Sequence, residues 1–236
     1  RKKYPAILED DLFSEQAQRL FEDANVMLDE VVKNNWLQAK AIIGIWKANS
    51  EGDDVYLFDE INNNIATFNF LRQQAKKRRA NRCLSDFIAP LSSGKQDYMG
   101  SFVCTAGLGI EKQLSVFEKD HDDYNSIMLK VISDRLAEAL TEYMHEKVRR
   151  KIWGYAADEK FSNEDLIREE YNGIRPAPGY TACPDHTEKL KIFDLLGAIE
   201  KIGVSLTENM AMTPNATVSG YYFAHPKAKY FSVGKV

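Results

Sequence analysis

The segment "GIRPAPGYTACPDHTEKL", residues 173–190, constrains the fold of this chain more than any other. Pro176 and Pro178 fix φ and bias the residues before them towards extended geometry, so the segment cannot close into a helix. Its carbonyl groups and the Ala177 N–H must therefore find partners outside a regular ladder, and a ligand is one candidate partner. Gly179 permits a positive φ or the close approach of another backbone.

Two side chains add recognition chemistry to this segment. Arg175 carries a permanently charged, planar fork that suits a carboxylate. Tyr180 offers a flat apolar wall with a polar tip. The same residues also fit a rigid surface turn in which Arg175 makes an ion pair, and the residues alone leave both interpretations open.

Hydrophobic patterns along the rest of the chain come in blocks of helix and blocks of strand. Four helices are predicted, over residues 14–33, 122–153, 162–171 and 185–203, with Ser14 and the "SNED" and "DHTE" runs as N-caps. Four strands are predicted over residues 41–48, 55–58, 65–71 and 97–105, followed by three strand-like pieces, "SLTENMAM", "TVSGYYFAH" and "KYFSVGKV". Blocks rather than strict alternation favour an α+β fold with a largely antiparallel sheet.

Apolar positions along 122–153 recur at helical spacing and predict one buried stripe, formed by Ile127, Leu129, Ile132, Leu136, Leu140, Met144 and Val148. The aromatic-rich tail, residues 219–236, contains Tyr221, Tyr222, Tyr230 and Phe231. Strand neighbours point to opposite sides, so about half of these rings should face the core. The others could pack against an adenine ring or a sulfonium, or could equally belong to the core.

Composition excludes several classes of protein. The chain has 236 residues, a hydrophobic share of 44 % and a net charge of −4, which suits one large domain or two small ones and argues against a basic nucleic-acid binder. Three cysteines without a CxxC motif fit a reducing cytosol rather than a disulfide framework. The sequence predicts no membrane span and no signal peptide. Because the chain lacks an initial Met, we expect it to be part of something longer.

Three further motifs have plain alternatives. Gly107-Leu108-Gly109 lacks the third glycine of a dinucleotide loop and predicts a strand-to-helix turn. "KKRR", residues 76–79, predicts solvated surface or a docking site for an acidic protein. Cys183 and His186 have C-x-x-H spacing, but zinc needs about four ligands and no second pair exists. Packing, a helix-start hydrogen bond or lining a pocket therefore suits Cys183 better than metal binding or nucleophilic catalysis.

Several segments together resemble the reactivation domain of cobalamin-dependent methionine synthase, a family that binds S-adenosylmethionine. The resemblance is carried by "GIRPAPGYTACPDHTEK", "LTENMAM", "VSGYYFAHP" and "KYFSVGKV", and upstream by "YPAILEDD", "LRQQ", "CLSDFIAP" and "WGYA". It covers residues 1–236 as one activation domain. The resemblance implies a C-shaped α+β domain whose twisted, largely antiparallel sheet is flanked by helices.

The resemblance also implies which residues surround the ligand in a shallow groove. They are Arg175, Ala177, Gly179, Tyr180, Tyr230 and Phe231, with His186, Glu138 and Glu169 in family-like stretches near the site. The backbone around Ala177 would hold the adenine edge or the amino-acid tail of the ligand. Arg175 would pair with the methionine carboxylate or with an adjacent acidic group, and we expect it to be exposed. No residue of the chain is expected to act as a catalytic base or to bind a metal.

The implied reaction is a repair of cobalamin that is bound by another domain of the same enzyme. One electron comes from flavodoxin or a flavodoxin-like reductase, and S-adenosylmethionine donates the methyl group. The parent cytoplasmic enzyme makes methionine from homocysteine and methyltetrahydrofolate. The "KKRR" cluster is a candidate docking site for flavodoxin, and neither nucleic acid nor membrane is an expected partner.

Two departures from the family pattern matter. An upstream segment that supplies an acidic residue to the ligand is absent from this sequence, so we expect the affinity for the ligand to be reduced or lost. Position 181 is Thr where the family pattern predicts Pro, which should loosen the turn but leave the groove. The rival functions are a free-standing methyltransferase with its own acceptor pocket and a non-enzymatic ligand-sensing or scaffold module.

Overall fold

The computed structural model describes residues 4–76 and 78–234. Its α-helices are Ser14–Asn34 (α1), Ile110–Lys119 (α2), Asp123–Lys147 (α3), Asn163–Ile167 (α4), Glu188–Leu196 (α5) and Ala198–Ile202 (α6). Its strands are Gln38–Glu51 (β1), Asp54–Phe58 (β2), Asn64–Asn69 (β3), Asp97–Leu108 (β4), Ser205–Leu206 (β5), Met212–Thr213 (β6) and Thr217–Tyr222 (β7). Of these helices, none has the length and apolar character needed to cross a membrane.

Five strands form one sheet in the order β3-β2-β1-β4-β7, and every neighbouring pair is antiparallel. The short strands β5 and β6 pair separately. This arrangement confirms the predicted α+β class and the largely antiparallel sheet. The four strands predicted before residue 108 are confirmed, although β1 and β4 extend beyond their predicted ends because they pair with each other along nearly their whole length.

The two faces of the sheet are covered by different helices. On one face, Phe102, Cys104 and Tyr222 pack with Val148 and with side chains of α3. On the other, Val103, Tyr221 and Phe223 share a core with α5 and α6. Because side chains alternate along a strand, covering both faces buries nearly every residue of β4 and β7. A third cluster joins α1, α2 and α3 away from this centre.

The long helix predicted over 122–153 is confirmed as α3, which gives way at Val148 to a π-helical turn that ends at Ile152, but its predicted buried face is partly wrong. Residues 110–119 form a separate helix before it. A π turn adds a residue to the turn and so shifts the side chains that follow it. Ile127 is 61 % exposed, whereas Met128 and Leu129 face the core, because α3 packs there against two helices at once.

Other predicted boundaries also change. The helix predicted over 185–203 is two helices, because Gly197 adopts a left-handed conformation with φ 63° and ends the first. Ser14 is the first helical residue rather than the cap, whereas the capping box of Ser162 with Asp165 is confirmed. Residues 229–234 form no strand, and residues 1–3, 77 and 235–236 lie outside the described ranges.

A buried ion pair joins the end of α3 to the loop that follows. The Arg149 side chain is 0 % exposed and donates from Nε to both carboxylate oxygens of Glu159, at 3.0 and 2.9 Å, and from Nη2 to Oε1 at 2.7 Å. Its guanidinium lies 3.8 Å from the centre of the Tyr171 ring. Arg149 therefore holds the segment 153–171, which leads to the proline-rich strip, at two places: at Glu159 through the ion pair and at Tyr171 through the ring contact.

We predict that Glu159→Ala lowers the free energy of unfolding by about 3–5 kcal/mol, because it leaves Arg149 buried without its bidentate partner. Urea denaturation followed by circular dichroism measures the change. The matched control is Arg135→Ala, which breaks the exposed pair with Glu138 and should cost about 1 kcal/mol or less. Equal losses in the two variants would contradict a structural role for the buried pair.

His145 on α3 is fully buried and cannot easily carry a charge. Its ring stacks on Tyr222 and meets the edge of Tyr171. Burial, followed by the charges of Arg149 and Arg175, holds the pKa of His145 well below its usual value of 6.5. The folded protein therefore contains a neutral imidazole at position 145 under conditions in which an unfolded chain would protonate it.

This difference predicts a pH dependence of stability. As the pH falls through about 6.5, the unfolded state binds a proton at His145 and the folded state does not. The free energy of unfolding therefore decreases below about pH 6.5. Between pH 7.5 and 5.5 we expect His145→Gln to lose less unfolding free energy than the wild type. Thermal denaturation across this range tests the expectation, and parallel curves for the two proteins would contradict it.

Candidate ligand-binding site

The proline-rich strip, residues 173–180, lies along the free edge of β7. Ile174 and Phe223 exchange two backbone hydrogen bonds, each 3.0 Å long, and the Tyr221 N–H donates to the Pro176 carbonyl at 2.9 Å. Gly220 allows this approach, since a Cβ there would lie 2.6 Å from the Pro176 oxygen. The sheet thus continues into the strip, although proline prevents a full ladder.

Alternation along this short pairing turns the backbone groups of residues 175 and 177 away from β7. The Arg175 N–H donates to the Tyr230 hydroxyl at 3.1 Å. The Ala177 N–H has no hydrogen-bond acceptor among the residues that the structure describes. An open backbone donor therefore lies on the outer edge of the strip, where the sequence predicted that one must find a partner.

A tight turn ends the strip. The Gly179 N–H donates to the Cys183 carbonyl at 2.7 Å, and the Cys183 N–H donates to the Tyr180 carbonyl at 3.0 Å. Gly179 has φ 93°, and a Cβ on it would overlap the His186 ring. Tyr180 projects from the turn with 70 % of its surface exposed. Glycine is thus required twice at this position, for its backbone conformation and for the ring packed against it.

A buried lysine holds the His186 ring in place. The Lys189 ammonium lies 3.1 Å from His186 Nδ1 and 2.9 Å from the Met210 carbonyl, to which it donates. Burial lowers the pKa of Lys189. The loop between β5 and β6 is thereby tied to the turn, so the "LTENMAM" segment reaches the site through its backbone.

The Arg175 side chain is more buried than the sequence predicted, with only 20 % of its surface exposed. Its Nη2 lies 2.7 Å from Oε2 of Glu142, and its Nη1 donates to the Tyr171 hydroxyl and lies 3.4 Å from His145 Nδ1. Burial opposes the charge, but Tyr171 and Glu142 outweigh it and raise the pKa of Arg175. Of the two partners expected for Arg175, the structure shows the adjacent acidic group.

The chain after β7 returns to the strip and lies against it. Val233 donates its N–H to the Thr181 carbonyl at 2.9 Å, and the Thr181 hydroxyl donates to the Phe231 carbonyl at 3.4 Å. Thr181 therefore ties the turn to the tail, a contact that the hydroxyl makes and the expected proline could not. Phe231 packs at the core beside Phe87, and burial raises the pKa of Tyr230.

The two predicted glutamates lie at the margin. Glu138 is exposed, pairs with Arg135 at 2.8 Å, and lies one helical turn before Glu142. Glu169 is exposed and has φ 55°, a left-handed conformation that is uncommon outside glycine. Burial of Tyr230 is the main cause of the raised pKa of its hydroxyl, and the charge of Glu169 raises this pKa further. Glu169 thus acts electrostatically on Tyr230, and among the described residues no hydrogen bond or ion pair joins Glu138 to the strip.

The sequence missed the residues behind Arg175, namely Glu142, His145 and Tyr171. Their only signal was the helical spacing of Glu142 from Glu138, which many exposed glutamates share. The sequence also left open a nucleophilic role for Cys183. Burial raises the pKa of this thiol to about 12, so it stays protonated at neutral pH and packs in the core.

Comparisons with known proteins identify the family of this chain. A family model described as "Vitamin B12 dependent methionine synthase, activation domain" matches residues 1–236. A solved structure described as the "MetH Reactivation Domain bound to AdoHcy" is 51 % identical, covers 100 % of this chain and 74 % of its own chain, and superposes with a TM-score of 0.97. The chain therefore belongs to the activation-domain family of vitamin B12-dependent methionine synthases.

Proposed function

We propose that this activation domain binds S-adenosylmethionine along the proline-rich strip and presents its methyl group to cobalamin carried by another domain of the same enzyme. The observation that carries the proposal is that one strip contains both the open Ala177 N–H and the Arg175 guanidinium, two residues apart in the chain. A backbone donor and a cation on the same strip suit a ligand that combines hydrogen-bonding edges with a carboxylate. The similar reactivation domain is described as bound to AdoHcy, which supports the same class of ligand here.

Each residue of the strip has a distinct part in this binding. The Nε of Arg175 has no acceptor among the described residues and is available to the ligand carboxylate. The Ala177 N–H is available to the adenine edge or the amino-acid tail. The Tyr180 ring supplies an apolar wall, and Gly179 provides the turn that carries Tyr180 and leaves space for the His186 ring. Tyr230 holds the strip through the Arg175 N–H.

S-adenosylmethionine supplies an activated methyl group, so the chain needs to bind and orient its ligand rather than to move a proton. The protonated state of the Cys183 thiol agrees with this division of labour. The open edge of the strip and the exposure of Tyr180 suit an acceptor as large as a corrin. The domain acts as a binding module within a methyltransferase that makes methionine from homocysteine and methyltetrahydrofolate.

We expect S-adenosylmethionine to bind the wild-type chain in a calorimetric titration, and Arg175→Lys to weaken that binding about tenfold or more. Lysine keeps the charge opposite Glu142 but loses the planar fork that a carboxylate recognises. Because Arg175 is largely buried, Arg175→Ala would also destabilise the fold, which makes lysine the sharper substitution.

The control for this titration is Arg150→Lys, since Arg150 pairs with Glu146 at 2.6 Å on the same part of the chain. It should bind S-adenosylmethionine as the wild type does. A wild type that shows no heat of binding, or an Arg175→Lys variant that binds normally, would refute the proposed site.

We further propose that an acidic flavodoxin, or a flavodoxin-like reductase, docks through five cations, namely Arg82, Lys227 and Lys229, which lie together, and Arg78 and Arg79, which are exposed and precede Arg82 by a few residues in the chain. Arg82, Lys227 and Lys229 line one cavity with Phe87, His225 and Asp86, whose carboxylate is paired with Arg72. Within residues 4–76 and 78–234, none of the five cations has a carboxylate partner. Lys77 of the "KKRR" cluster lies outside the described residues.

In the full-length enzyme, the pair Arg78→Glu and Arg79→Glu should slow flavodoxin-dependent reactivation and reduce its salt dependence, because the steering charge is reversed. The same enzyme reactivated with a small chemical reductant should be unaffected. Lys112→Glu with Lys119→Glu, on exposed positions of α2, is the matched control. Unchanged kinetics and unchanged salt dependence would remove this surface as the docking site.

A further inference from the structure

We propose that Glu142 is a positioning residue for the ligand carboxylate, because it fixes the Arg175 guanidinium from behind. This inference rests on the proposed function, in which Arg175 binds that carboxylate. It adds to the site a second residue of α3, the helix from which the sequence named only Glu138. Glu142 does not need to touch the ligand, since it acts through Arg175.

Three contacts hold the guanidinium from one side. Glu142 Oε2 lies 2.7 Å from Nη2, and the Tyr171 hydroxyl accepts from Nη1 while it donates to the same Oε2 at 3.3 Å. Nη1 also faces His145 Nδ1 at 3.4 Å. The Nη1 donors are thus taken by two partners, whereas Nε has no acceptor among the described residues. The Arg175 guanidinium is therefore held in place, and its Nε edge stays available to the ligand.

Glu142 is the charged member of this support. His145 stays neutral, and Tyr171 keeps its proton and donates a hydrogen bond to Glu142, so neither balances the Arg175 charge. Arg149 lies 3.9 Å from Glu142 Oε1, but it already has a bidentate partner in Glu159. Within the described ranges, Glu142 is therefore the carboxylate that serves Arg175, and it is itself held between two arginines.

The physical consequence is preorganisation. A free arginine must give up many rotamers when it binds a carboxylate, and this loss weakens the affinity. The contacts to Glu142 and Tyr171 fix the side chain before the ligand arrives. A glutamine at 142 would keep the shape but lose the charge, so the guanidinium would no longer be held in one orientation.

The test uses two ligands, S-adenosylmethionine and its decarboxylated form, titrated into the wild-type chain and into Glu142→Gln. We expect the variant to bind S-adenosylmethionine about tenfold more weakly and the decarboxylated ligand with unchanged affinity. This selective loss is predicted only if Glu142 acts on binding through the carboxylate of the ligand. Equal weakening for both ligands would show a general structural role and would overturn the proposal, as would unchanged or tighter binding of S-adenosylmethionine.

Two further variants keep the test decisive. Glu146→Gln removes a carboxylate one turn along α3 that pairs with Arg150, and it should affect neither ligand. Tyr171→Phe removes the hydroxyl between Glu142 and Arg175 and should reproduce the selective loss in smaller measure if Glu142→Gln does not fold. No selective loss in Tyr171→Phe would then overturn the proposal. A wild type that binds both ligands equally would instead refute the contact between Arg175 and the carboxylate.

Discussion

The site depends on one interaction, the backbone pairing of the proline-rich strip with the edge of β7. Without it, β7 would be an open edge strand, with unpaired backbone groups between two covered faces. The hydrogen bonds of Ile174 to Phe223 and of Pro176 to Tyr221 close that edge. They also turn the backbone groups of residues 175 and 177 away from β7, so the contact that completes the sheet directs the Arg175 N–H to Tyr230 and leaves the Ala177 N–H open among the described residues.

A second constraint supports the first from the side of α3. The strip is preceded by a loop that Arg149 and Glu159 fasten to the end of this helix, with the Tyr171 ring stacked on the guanidinium. Tyr171 then reaches Arg175, and Glu142 joins the two arginine-centred pairs. Arg149 lies in the π turn at the end of α3 and is buried there, so the irregular end of the helix carries the buried charge.

Helices and strands could be predicted from the sequence wherever a pattern was long and repeated, as in α1, the hairpin of β1 with β2, and β4. Predictions failed where one residue decided the outcome. Gly197 ends a helix that the hydrophobic pattern would continue, and Ile127 faces solvent because the neighbouring helices contact its next two residues. The tail pattern predicted a strand over 229–236, but its described residues pair with the turn at Thr181 through isolated hydrogen bonds.

The sequence by itself determined that residues 174–177 would be extended, that the strip would carry a cation, and that its backbone groups would need partners outside a regular ladder, because proline sets the backbone conformation locally. It also identified the family through the same residues. Only the tertiary structure decided which way each group points. Arg175 is largely buried because Glu142, 33 positions earlier in the chain, reaches it across the gap between α3 and the strip. Such a partner is chosen by packing in three dimensions, and no local pattern specifies it.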